Sequence, residues 1–301
     1  MAQENLRSGG VELDPNPEAF GYLRRSEDLV HHPEIARERL LEDGYLYLPG
    51  FLRRELVLNA RQSVTNSLGD EGVLDASFPN LEAVAKVGTE MYFRPDLANQ
   101  DEAVQRLVYG PEVIDWFARC LGGEIRHYDF TWMRVIAHGK GTWPHCDIVY
   151  MGRGTNQLFT MWAPLGDISL DLGGLIVLEG SHKLDTMRET YGKLDVDALC
   201  ENNPGKNEVE ANGFTAGGAI CANPVALRDE LGGRWLTSEK YEMGDVLIFG
   251  MYTIHASLDN QTDFVRLSTD TRYQLASQPI DERWVGAMPG HSSAGKRQKI
   301  C

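Results

Sequence analysis

The sequence predicts an α+β chain with a mainly β core, a jelly roll or barrel, carrying helices in its N-terminal part. Two observations predict it. Apolar residues recur at helical spacing across residues 33–121, whereas from Glu124 onward they fall in short β-rich runs broken by Gly, Asn and Asp. Runs at that spacing argue for a jelly roll or barrel and against βαβ units. A length of 301 residues is compatible with one such domain, because single β barrels and sandwiches reach about 200 to 250 residues.

Residues 1–30 are polar and turn-rich, and Asp14-Pro15-Asn16-Pro17 forbids regular structure locally, so this stretch is expected as an arm laid over the domain. A helix is expected over Pro33–Asp43, started by its proline and stopped by Gly44. Tyr45–Leu48 reads as a strand closed by Pro49-Gly50. Arg53–Leu68 carries Leu56, Leu58, Ala60, Val64 and Leu68 near helical periodicity, with Gly69 as its stop. Residues 71–100 read as loop, and two short helices follow, Asp101–Tyr109 and Glu112–Leu121. Strands are expected at 125–137, 143–150, 156–163, 173–178, 244–257 and 264–275.

Residues 183–240 break this rhythm. They combine a helix over Thr186–Cys200, a polar loop over Glu201–Glu210 and a Gly-rich stretch around Gly213, Gly217 and Gly218, and so read as an insertion, either a lid or surface decoration. The expected organisation is an arm at 1–30, one domain at 31–280 and a tail at 281–301.

A hydrophobic content of 42% and a charged content of 24% describe a globular protein with ample core. The net charge of −15, from 29 Lys and Arg against 44 Asp and Glu, repels phosphate backbones and anionic lipid, so neither nucleic acid nor membrane is expected as a partner. The five cysteines form no Cys-x-x-Cys pair, which fits a reducing cytoplasm and neither a disulfide framework nor a zinc knuckle. The N-terminus lacks the apolar core of a signal peptide, and no stretch reaches membrane-spanning length. Composition leaves monomer and homodimer both open.

The chemistry gathers at Trp143-Pro144-His145-Cys146-Asp147. Read as an extended segment, it points His145 and Asp147 to one face and Cys146 to the other, so that imidazole and carboxylate can close on one ion. Two His with one Asp is the facial triad of non-haem Fe(II) oxygenases. The spacing alone is weak; His-x-Asp is more often a surface pair. Among the eight histidines, His255 is the best further ligand, because it lies in an apolar β-rich run where an unpaired imidazole is costly. His182, in Gly180-Ser181-His182-Lys183, is its rival, and otherwise a loop residue. His138 is expected to be exposed, Trp162 to be core and Arg134 to sit in a structural salt bridge. Gly152-Arg153-Gly154 lacks the context of a dinucleotide fingerprint, and no phosphate loop exists.

With these residues in place the chain resembles the phytanoyl-CoA dioxygenase family of Fe(II)/2-oxoglutarate oxygenases over roughly Leu41 to Gln274. The resemblance rests on five pieces in the family's order: Asp43-Gly44 with Pro49-Gly50, His145-Cys146-Asp147 ahead of a strand carrying Trp162, Gly173-Gly174 through Gly180-Ser181-His182-Lys183, Gly244-Asp245, and His255-x-Ser257 followed by Arg266. It implies a double-stranded β-helix (jelly roll, cupin-like), with Fe(2+) held by His145, Asp147 and His255. It also implies 2-oxoglutarate as cosubstrate beside O2, with Arg266 and Ser257 at its far carboxylate, and a hydroxylated small molecule and succinate as products. Retention of Asp147 disfavours halogenation. The chain departs from the family in having Leu172 before Gly173-Gly174, where Asn-Gly is frequent, and in a longer span between Asp147 and His255.

Residue chemistry agrees. A buried dicarboxylate needs a fixed cation, and a guanidinium binds it through two parallel hydrogen bonds. Arg266 and Arg272 share parity on the last strand; Arg266 lies just past the turn after His255, whereas Arg272 is about 20 Å further along and reads as a surface or intersheet ion pair. The expected function is oxidation of a natural-product intermediate or amino-acid-like metabolite. The alternatives are a cupin-like metal-binding protein without oxygenase activity, or an acyl-CoA hydroxylase of the same family, for which Arg24-Arg25 and Arg53-Arg54 are the available basic pairs.

Overall fold

The first strands are short: β1 (Arg7–Ser8) and β2 (Val11–Glu12) pair with each other, and β3 (Phe20–Tyr22) follows. The structure is a computed structural model and describes residues 6–90, 93–196, 218–287 and 289. Helix α1 spans Pro33–Asp43, with Pro33 in its first turn and Gly44 left-handed at φ 79° as its stop. The side chain of His182 occupies the space a Cβ on Gly44 would take, so this glycine is required twice. After β4 (Tyr45–Leu48), α2 runs over Arg54–Asp70. It passes through Gly69 where a stop is expected, and Asn80 sits where a Cβ on Gly69 would lie, so this glycine marks a close approach. Helices α3 (Asp96–Asn99), α4 (Glu102–Val108) and α5 (Pro111–Leu121) complete the helical part.

The β core holds β5 (Ile125–His127), β6 (Trp132–Ile136), β7 (Phe159–Pro164), β8 (Ile168–Ser169), β9 (Leu175–Leu178), β10 (Trp235–Thr237), β11 (Lys240–Tyr241), β12 (Val246–Gly250), β13 (His255–Ser257) and β14 (Arg266–Leu275). A major sheet orders them β4-β12-β7-β14-β5, with β6 also on β14, and all of its pairs are antiparallel. A minor sheet orders β13-β9-β10-β3. Tyr47, Trp162, Leu247 and Phe249 of the major sheet pack on Leu175, Val177 and Leu236 of the minor one, which makes the sandwich of a jelly roll. On the other face of the major sheet, Met133, Val135, Met161, Ile248 and Leu267 bury the apolar stripes of α1, α2, α4 and α5. The mainly β, α+β jelly roll expected from the sequence is the one observed.

Four expected elements differ. Residues 125–137 form two strands, β5 and β6, with Tyr128 to Thr131 between them. Residues 244–257 also divide: β12 belongs to the major sheet and β13 to the minor one. The turn between them is satisfied from outside, since Thr253 Oγ1 donates to Gly44 O at 2.6 Å and Ile254 N donates to Ser181 Oγ at 2.9 Å. Residues 143–150 are not a strand; His145 makes an isolated bridge and Ile148–Met151 is a helical turn. Of the Thr186–Cys200 helix expected within 183–240, the described residues hold a short helix over Asp185–Glu189 and a 3-10 turn over Tyr191–Lys193. Residues 197–217, which hold the last four residues of that expected helix, the 201–210 loop, Gly213 and Gly217, lie outside the described residues. The same segment supplies a helix over Pro224–Leu231 and β10, a three-residue run too short to show alternation.

The arm is fastened beside β13. Asp259 accepts from Gly9 N at 2.9 Å through Oδ1 and from Gly10 N at 2.8 Å through Oδ2, and Ser8 Oγ donates to Ser257 O at 2.8 Å. Asp259→Ala is therefore expected to lower stability by about 2 kcal/mol, the worth of hydrogen bonds to a charged group. The readout is the thermal midpoint; an unchanged midpoint would show that the arm is not held through this carboxylate.

Candidate metal centre

The centre starts from backbone. His145 N donates to His255 O at 3.0 Å and His255 N donates to His145 O at 3.0 Å, so the two residues form a directly opposed antiparallel pair that continues the minor sheet beyond β13. Their rings are 4.1 Å apart, centroid to centroid. Each ring is oriented by the carbonyl two residues before it: His145 Nδ1 donates to Trp143 O at 2.8 Å, and His255 Nδ1 to Thr253 O at 3.0 Å. Both Nε2 atoms are thereby left as the free acceptors, as metal-ligating imidazoles require. Burial first, then the neighbouring His255 ring, holds the His145 imidazolium far below its ordinary pKa, and burial also lowers His255, so both rings are neutral.

Asp147 reaches the same place by a route other than the expected one. Its backbone is helical, φ −66° and ψ −23°, at the start of the Ile148–Met151 turn, so the two-residue periodicity of a strand does not align it with His145. The chain instead turns at Asp147 and brings Oδ1 to 3.8 Å from His255 Nε2. Its Oδ2 accepts from Arg272 Nη2 at 3.0 Å and from the Thr160 hydroxyl. Burial works to raise this carboxyl, but the Arg272 guanidinium holds it below the usual carboxylate range. His145, Asp147 and His255 each offer a ligand atom within 4.8 Å of the other two, and all three residues are buried. Two neutral nitrogens and one carboxylate oxygen fit a divalent transition metal such as Fe(II), and their outer atoms already have partners, so the donor set is oriented before any ion arrives.

Ser257 and Arg266 come together as their parity suggests. Arg266 Nη2 lies 3.4 Å from Ser257 Oγ, which also accepts from Thr142 N at 2.8 Å, and both residues are buried. Along β14, Arg266, Ser268, Asp270, Arg272 and Gln274 share the face opposite the helices, while Leu267 and Tyr273 enter the helix-covered core. Arg134 pairs with Asp270 at 2.9 Å, the expected salt bridge. His138 is exposed and Trp162 is core, also as expected.

His182 is not a ligand in this arrangement; it lies against Gly44 at the end of α1. Arg272 is neither a surface residue nor a bridge between the sheets: its acid partner is the site's own carboxylate. Thr160 was not anticipated. The one sequence signal for Arg272 is the run Arg266-x-Ser-x-Asp-x-Arg-x-Gln274, polar at every second position of an otherwise core-like strand.

Comparison with known proteins places the chain as follows. The model of the family described as phytanoyl-CoA dioxygenase (PhyH) matches residues 40–268. The 1-deoxypentalenic acid 11-beta-hydroxylases of Streptomyces exfoliatus and Streptomyces arenae are 29% and 28% identical over 256 residues, with 78% of this chain and 79% of each relative covered. Among solved structures, the non-haem alpha-ketoglutarate-dependent carbocyclase SnoK from nogalamycin biosynthesis has TM-score 0.58 at 18% identity, covering 87% of this chain and 88% of that one. The epimerase SnoN, solved with Fe3+, alpha-ketoglutarate and nogalamycin RO, has TM-score 0.56 at 21% identity, covering 83% and 86%. EctD from S. alaskensis has TM-score 0.55 at 20% identity, covering 95% and 92%. At these identities the solved structures establish the fold.

Cys146, between two donors in sequence, turns away from them, its Sγ 3.5 Å from Tyr252 O. Burial pushes its thiol far up, and that of Cys120 up to about 12. Both are expected to resist iodoacetamide at pH 8 until the protein is unfolded, as read by peptide mass spectrometry; labelling of native Cys146 would mean that the His145–Asp147 segment opens.

Proposed function

The chain belongs to the phytanoyl-CoA dioxygenase family and is an Fe(II)/2-oxoglutarate-dependent dioxygenase; we propose that His145, Asp147 and His255 hold its iron and that Arg266, with Ser257, receives the far carboxylate of 2-oxoglutarate. The observation that carries this reading is the single buried cluster of two Nε2 atoms and one carboxylate oxygen found among the described residues. Iron bound there supplies the redox chemistry, in which O2 and 2-oxoglutarate give CO2, succinate and an oxidised substrate.

The chain's own residues do the rest. The two neutral imidazoles and the ionised Asp147 present a negative, oxygen-and-nitrogen donor face without having to release protons. Arg266, buried beside Ser257, offers a fixed guanidinium fork for a carboxylate, and its burial makes that pairing stronger than it would be in water. Next to Arg272, whose guanidinium lies 4.3 Å from the centre of the Trp132 ring, Phe130, Trp132 and Trp284 form an aromatic cluster with ring centroids 4.6 to 5.4 Å apart, which suits an apolar substrate body. Together with the two hydroxylase relatives named for 1-deoxypentalenic acid, this supports a mainly apolar natural-product intermediate as substrate, with hydroxylation as the outcome.

Anaerobic Fe(II) with 2-oxoglutarate is expected to give a visible charge-transfer band, and O2 then to release succinate. His145→Ala, Asp147→Ala and His255→Ala should each abolish the band, whereas His182→Ala should keep it. Arg266→Ala should keep iron binding and raise the 2-oxoglutarate needed for half-saturation by about 10- to 100-fold, the equivalent of about 1.5–3 kcal/mol for a charged hydrogen bond. No band in the wild-type protein would refute the reading, and a band surviving in His255→Ala would refute the ligand set.

A further inference from the structure

The two oxygens of Asp147 are not equivalent. Oδ1 faces His255 Nε2 at 3.8 Å, whereas Oδ2 is taken by Arg272 Nη2 at 3.0 Å and by the hydroxyl of Thr160. These two donors are direct neighbours, because the β14–β7 register sets Arg272 opposite Thr160. Arg272 is 2% exposed and its guanidinium lies 4.3 Å from the centre of the Trp132 ring. Asp147 is its acid partner, and its Nε and Nη1 make no hydrogen bond among the described residues. A guanidinium has five N–H donors, and burying most of them unused is unfavourable; an apolar side chain of similar volume would fill the space at less cost. The cation is explained by what it does to Asp147.

A carboxylate can give a metal one oxygen or both. In an octahedral shell two imidazoles and a one-oxygen carboxylate leave three positions, enough for a chelating 2-oxoglutarate and for O2, whereas a two-oxygen carboxylate leaves only two. We propose that Arg272 is a positioning residue: with Thr160 it occupies the Oδ2 edge of Asp147, so that the carboxylate offers the ion Oδ1 alone and a position stays open for O2. This rests on the reading of His145, Asp147 and His255 as the metal ligands.

The test uses the full chain, loaded anaerobically with Fe(II) and 2-oxoglutarate and titrated with nitric oxide as a stand-in for O2, the adduct being read by its electron paramagnetic resonance signal. Wild type should show the charge-transfer band and then the adduct. Arg272→Met should keep the band but need about 10- to 100-fold more nitric oxide, the range typical when the partner of a metal ligand is removed. Arg272→Lys, which keeps an N–H donor, should recover part of the loss. Thr160→Val, which removes one of the two Oδ2 donors, should show the same change at smaller amplitude, and it decides the matter if Arg272→Met does not fold or takes up no iron. A role confined to packing would lower the melting temperature and leave the nitric oxide titration unmoved; that result overturns the proposal. Absence of the band in wild type would instead refute the metal reading itself.

Discussion

A two-way pair of backbone hydrogen bonds, between the peptide groups of His145 and His255, is the constraint on which the centre depends. It joins the segment after β6 to the end of the minor sheet and sets two imidazoles side by side before any side-chain interaction is counted. Each ring is then turned by a carbonyl from its own chain, two residues back. The geometry is thus specified by main chain at both histidines, and main-chain pairing is far less sensitive to neighbouring substitutions than a side-chain network would be.

Where the determining information is local, reading the chain and observing the fold agree. Pro33 and Gly44 bound α1 as a proline start and a left-handed stop should, and Arg266–Leu275 emerges as one strand. The disagreements arise where a neighbour distant in sequence decides. Gly69 reads as a stop but is a place for Asn80. The 244–257 run is mainly apolar on both sides of Gly250, and its pattern does not announce that the chain changes sheets near Met251; the partners that make the turn possible, Gly44 and Ser181, are far away. His145 and Asp147 are legible as a pair through residue type and resemblance, although a helical turn at Asp147, not a strand, brings them together. Thr160 carried no signal, because a threonine in a strand is ordinary.

Composition also speaks for a different region from the one that matters here. A net charge of −15 describes the outside of the molecule and argues against polyanionic partners. Inside, two arginines, each no more than 2% exposed, stand on one strand face beside a buried carboxylate. A buried cation retains an anion-binding role whatever the sign of the surface, because its field is little screened there.

The inner face of β14 has a further consequence. Arg266 and Arg272 are about 20 Å apart along one rigid strand, so a single element acts as a ruler between the proposed cosubstrate anchor and the support of Asp147. A one-residue insertion or deletion between them would rotate one of the two onto the helix-facing side. Length variation across this family's architecture should therefore collect in the loops and the 183–240 segment, while the spacing on this strand stays constant. A homologue in which that spacing shifts by one would have to hold the carboxylate equivalent to Asp147 by other means.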